Sequence, residues 1–131
     1  MKIYFFQMGN VNADIVGFRD VRAMEDLKYT QLDELQNIVP HYQYKSFLPL
    51  RSVNKRNLKP GWEWEGIGFL SKHKILTVMS QNISVPYDSP DKSQRAILHL
   101  QFLIEPEQLE LDVVLVEFSF HKITQVFVYS H

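Results

Sequence analysis

Ala13-Asp14-Ile15-Val16-Gly17-Phe18-Arg19-Asp20-Val21-Arg22 joins a short apolar run to a carboxylate and an arginine. Ile15 to Phe18 is continuous, apolar and partly β-branched, the pattern of a strand buried on both faces. Such a strand delivers Asp20 at its C-terminal mouth, where a carboxylate can serve as a metal ligand. Period-two geometry also puts Asp20 and Arg22 on one face, so an ion pair between them is the alternative reading.

Downstream, Thr30-Gln31-Leu32-Asp33 predicts a helix start. The Thr30 hydroxyl can cap the amide of Asp33, and that carboxylate suits the positive end of the helix. Leu32, Leu35, Ile38 and Val39 then recur at helical spacing, and Pro40 stops the helix. Beyond it the pattern changes to strands. Tyr42, Tyr44 and Phe47 suggest one running toward Pro49. Gly66 to Leu70 and Ile75 to Met79 read as two more, joined by the polar Ser71-Lys72-His73-Lys74. Ala96, Leu98, Leu100, Phe102 and Ile104 alternate with a second set, which predicts a half-buried strand, and Leu111 to Phe120 is the next. Helix followed by strands, without helix–strand repetition, predicts an α+β fold: a mostly antiparallel β-sheet with one or two helices packed on one face.

Composition excludes more than it assigns. The 131 residues suit one domain, and with no cysteine there is neither a disulfide nor a thiolate metal site. A net charge of −1 gives no general pull toward nucleic acid, which stays possible as a partner but is not indicated by charge. Lys45, Arg51, Lys55, Arg56 and Lys59 cluster in a segment that reads as a loop, either a solvated surface or a phosphate-binding rim. No run approaches the ~18 apolar residues of a membrane span. The first residues lack the core and cleavage site of a signal peptide, so the expected location is cytoplasmic or nuclear, with no membrane partner.

Taken in order, the Asp20 segment, Glu65-Gly66-Ile67-Gly68-Phe69-Leu70-Ser71-Lys72, Gln94-Arg95 and Asp112-Val113-Val114-Leu115-Val116-Glu117-Phe118-Ser119 resemble the first half of the endonuclease/exonuclease/phosphatase superfamily, the deoxyribonuclease-like metal-dependent phosphoesterases. The resemblance implies half of a four-layer α/β sandwich and one partial domain over 1–131, with the second half's Asp-x-Asn and Asp-His motifs absent. It implies a phosphate-ester substrate and Mg2+ or Mn2+, with Asp20 and, less directly, Glu65 as metal residues. Glu117 is the catalytic candidate, because it stands where the family carries a histidine that donates to the scissile phosphate.

The departures are chemical. Asp20 is one methylene shorter than the family's glutamate. Glu117 puts an acceptor where a donor belongs, which opposes the charge developing on a phosphate. His121 shares its face but lies ~13 Å along the strand. The glycines around Ile67 fit either a backbone passing close to a cleft or a structural role. Trp62 and Trp64 fit either base stacking or the core rim. His41, His73 and His99 belong to no recognised constellation. The expectation is a divergent, truncated phosphoesterase with weak or no hydrolysis. The alternative is a non-catalytic interaction module whose unmated apolar sheet face takes a second copy or a missing second half.

Overall fold

The computed structural model describes residues 12–53, 61–83 and 95–117, together with the backbone of 124–130. Its elements run β1 (Ile15–Met24), α1 (Gln31–Ile38), β2 (Tyr44–Ser52), β3 (Trp62–Ser71), β4 (Lys74–Ile83), β5 (Arg95–Ile104), β6 (Leu109–Glu117) and β7 (Thr124–Ser130). They form two antiparallel sheets, ordered β1-β3-β2 and β4-β5-β6-β7. The α+β expectation, and with it half of a four-layer α/β sandwich, is therefore overturned. The chain is mostly antiparallel β, with two sheets face to face and a single described helix on the outside of one. The sheet face read as unmated is covered by the chain's own second sheet.

The inner core shows why. Leu50, Ile67 and Phe69 of the first sheet pack on Ala96, Leu98, Leu100, Phe102, Val113 and Leu115 of the second. Alternation along β5 is strict, with Ala96, Leu98, Leu100 and Phe102 each no more than 1% exposed. Phe69 meets Phe102 edge-on, ring centroids 6.1 Å apart at 75°, a favourable aromatic geometry that ties the sheets together. The polar Lys72-His73 link carries the chain from β3 in one sheet to β4 in the other.

On the outer face of the first sheet, α1 buries Leu32 and Leu35 against Val21, Leu70 and Tyr42. Each leucine contributes about 1.5–3 kcal/mol by leaving water. Ile38, expected on the same stripe, is 57% exposed. The helix ends at that residue, and the following Val39, not Ile38, completes the buried stripe. β1 is an edge strand, so Ile15, Val16 and Phe18 are only half-buried and Gly17 is exposed, in place of burial on both faces.

The glycines have structural work. A Cβ on Gly68 would stand 2.9 Å from Leu32 Cδ1, so its absence lets α1 lie close to the sheet.

Thr30 caps the helix. Its Oγ1 accepts from Leu32 N at 3.0 Å, and the Asp33 carboxylate accepts in turn from Thr30 N at 2.7 Å. Thr30→Ala is expected to lower stability by about 1 kcal/mol in urea unfolding.

Candidate functional site

Two irregularities build the site. The β1–β3 register slips between Phe18 and Val21, and within that slip Asp20 takes a positive φ of 54°. Aspartate tolerates this conformation better than most residues. The β2–β3 register slips again between Pro49 and Arg51, leaving Leu50 unmatched. A bulge of this kind re-aims the side chains after it. Arg51 is thus paired opposite Glu65 and turned to the face that Glu65 shares with Ile67 and Phe69. Across the interface Glu117 pairs with Ala96 at the last position of β6, on the inward face with Leu115 and Val113.

The result is one cluster at one end of the sandwich, centred on Arg51. Its Nε donates to Glu65 Oε1 at 2.8 Å, and its Nη2 donates to Glu117 Oε1 at 2.9 Å. Nη2 also lies 3.6 Å from Asp20 Oδ1. Arg22 Nη2 holds the other Glu65 oxygen at 2.7 Å, and Arg19 Nε lies 3.6 Å from Asp20 Oδ2. Charges therefore balance, with Asp20, Glu65 and Glu117 set against Arg19, Arg22 and Arg51. Burial disfavours the Arg51 cation. The Glu117 charge and the hydrogen bonds that Arg51 donates to both glutamates outweigh it, raising the guanidinium's pKa above its ordinary value. Arg51 Nη1 and Glu117 Oε2 are buried and have no hydrogen-bond partner among the described residues.

All three site residues expected from the sequence, Asp20, Glu65 and Glu117, come together here. Their partner is the surprise. Arg51 belongs to β2 and is largely buried; it is neither a loop residue nor a solvated one. Lys45 also belongs to β2, where it pairs with Asp33, while Lys55, Arg56 and Lys59 lie outside the described residues. Asp20 and Arg22 both reach the cluster but form no ion pair there: Arg22 pairs with Glu65, and Asp20 lies near Arg51 and Arg19. The alternation of Leu48 and Leu50 would turn Arg51 to the opposite face, so no local pattern marks it; the register slip beside Leu50 brings it inward.

Mg2+ or Mn2+ does not fit this arrangement. Magnesium needs several oxygens at about 2.0–2.1 Å around one point, and here that point is taken by a planar cation whose nitrogens set the oxygen spacing. Among the described residues, no group of three or more His, Cys, Asp or Glu side chains is placed to hold a metal ion.

The remaining candidates play other parts. Gly66 passes against the backbone of β2, and Trp62 stacks on Tyr29 with centroids 6.2 Å apart. Trp64 Nε1 donates to Glu25 O at 3.3 Å. His99 Nε2 lies 3.0 Å from Asp112 Oδ1 on the outer face of the second sheet, and His73 lies 3.5 Å from Asp14. His41 packs on Tyr42, and His121 lies outside the described residues. At the end of the sandwich away from Arg51, a mainly apolar cavity of about 350 Å³ opens between Ile15, Gly17, Phe69, Leu111 and Val113. No helix of the described residues is long and apolar enough to cross a membrane. Compared with known proteins, the chain matches no family model, no curated protein and no solved structure.

Proposed function

We propose that the chain is a divergent relative of the endonuclease/exonuclease/phosphatase superfamily whose carboxylate centre is neutralised from within, so that it hydrolyses phosphate esters weakly or not at all. The relationship is supported by the order of the motifs around Asp20, Glu65 and Glu117 and by the meeting of these three side chains at one place. The single observation that carries the loss of activity is Arg51, which donates to two of the carboxylates and approaches the third. Glu117 accepts from that guanidinium and has no proton to offer a phosphate.

The expected outcome is that magnesium or manganese leaves bis(p-nitrophenyl) phosphate cleaving at its uncatalysed rate. Metal-dependent turnover by the purified chain, lost in Asp20→Ala, would contradict the proposal.

One observation favours a second reading, an interaction module. Leu76, Val78 and Met79 of the edge strand β4 are 36%, 52% and 56% exposed, more apolar surface than an edge strand usually shows to water. Sedimentation of the same preparation separates the readings. A concentration-dependent dimer supports the module, and a monomer at every concentration removes self-association from it.

A further inference from the structure

We infer that the cavity between β1 and β6 is a binding site for a small amine with an aromatic or branched aliphatic body. The cavity shares no residue with the Arg51 cluster, so the inference stands whether or not the chain is a phosphoesterase relative.

Gly17 opens the space. A Cβ built on it would stand 3.3 Å from Phe69 Cε1 and 3.7 Å from Leu115 Cδ1, so this position of β1 faces the gap between the sheets. A side chain there would fill the gap to the density of an ordinary core. Glycine leaves it empty, and Gly17 is exposed although it faces inward. The resulting cavity of about 350 Å³ is of a size that takes small molecules. Ile15 and Phe69 line it from one sheet, and Ile104, Leu109, Leu111 and Val113 from the other. Ile15, Ile104 and Leu111 are only half-buried, which leaves apolar surface for a ligand to remove from water.

The mouth sets the sign of the ligand's charge. Asp14 lines it with a side chain 69% exposed, and His73 Nε2 lies 3.5 Å from Asp14 Oδ1. The β5–β6 turn, between the lining residues Ile104 and Leu109, carries the exposed Glu105 and Glu107. Among the described residues no lysine or arginine lines the cavity. The two nearest along the chain are turned away from it. Lys72 Nζ sits over the Tyr42 ring, on the helix-covered face of the first sheet. Lys74 is paired opposite Leu103, which alternates with the inward Phe102. An ammonium at this mouth meets carboxylates and stays hydrated, whereas an anionic ligand meets like charge.

The probes are phenethylamine, phenethyl alcohol and phenylacetate, each titrated into the full chain with labelled Ile, Leu and Val methyls and followed by NMR. Phenethylamine should move the methyl signals of Ile15, Leu111 and Val113 and leave those of Leu32, Leu35 and Val78 in place. It should bind about fivefold more tightly than the alcohol, the upper end for an exposed ion pair, and phenylacetate should bind least. Asp14→Asn should remove most of the amine's advantage and leave the alcohol's affinity unchanged. Leu111→Trp, which fills the cavity, should abolish binding of both. Asp14 is exposed enough for its variant to fold, so the test holds even where Leu111→Trp does not fold. The inference is overturned by methyls that stay in place, by phenylacetate binding as tightly as the amine, or by an undiminished amine preference in Asp14→Asn.

Discussion

Arg51→Met is expected to lower the free energy of unfolding by about 3–5 kcal/mol in metal-free buffer, the cost of leaving buried charges without their partner. Arg51 reaches from β2 to β3 within its own sheet and to β6 in the other, so its loss strands Glu117 and leaves Glu65 with Arg22 alone, two glutamates that are almost inaccessible to water. Methionine keeps much of the volume, so packing loss contributes little and the effect reports the charge. Urea unfolding followed by circular dichroism measures it. A change below about 1 kcal/mol would place Arg51 among ordinary surface ion pairs. Arg22→Met should cost less, because Arg22 holds one oxygen of Glu65 and does not bridge the sheets.

Gly66→Ala should be at least as damaging. A Cβ there would lie 1.9 Å from the carbonyl oxygen of Leu48 and 2.8 Å from its carbonyl carbon. Those atoms are backbone in the paired strand β2, and no rotamer change moves them aside. Relief requires β2 and β3 to part beside the bulge that aims Arg51, so a loss above about 4 kcal/mol is expected. Gly17→Ala is the matched control. Its nearest obstacle is the rim of the Phe69 ring at 3.3 Å, a side chain that can shift slightly. Thermal unfolding of both variants should show a much larger fall for Gly66→Ala. Similar midpoints would mean that the close passage of the two strands is not a constraint.

Local features were the legible ones. Thr30 and Asp33 carry their cap in the sequence, since the groups that satisfy each other lie within one turn. The alternation from Ala96 to Phe102 names the inward face of β5 directly. Periodicity, however, says which side chains turn inward and not what they meet. That is why the covering of the first sheet by β4–β7 is not visible in the sequence pattern, which predicts a sheet lacking a mate. A two-residue link between β3 and β4 carries no mark of crossing between sheets.

The site was legible in its anions and hidden in its cation. Asp20, Glu65 and Glu117 stand out because each carboxylate interrupts or bounds an apolar run. Arg51 stands at the front of a basic stretch, which reads as solvated. The bulge at Leu50, set by tertiary pairing, then turns it inward. The Asp20–Arg22 pairing fails for a related reason: Glu65, distant in the sequence, takes Arg22.

A double-mutant cycle between Arg51→Met and Glu117→Gln tests most directly whether one guanidinium locks the two sheets together. A coupling free energy of about 1.5–3 kcal/mol is expected, so the second substitution should cost far less once the first is present. Strictly additive losses would mean that these side chains do not meet, and the cluster described here would not exist.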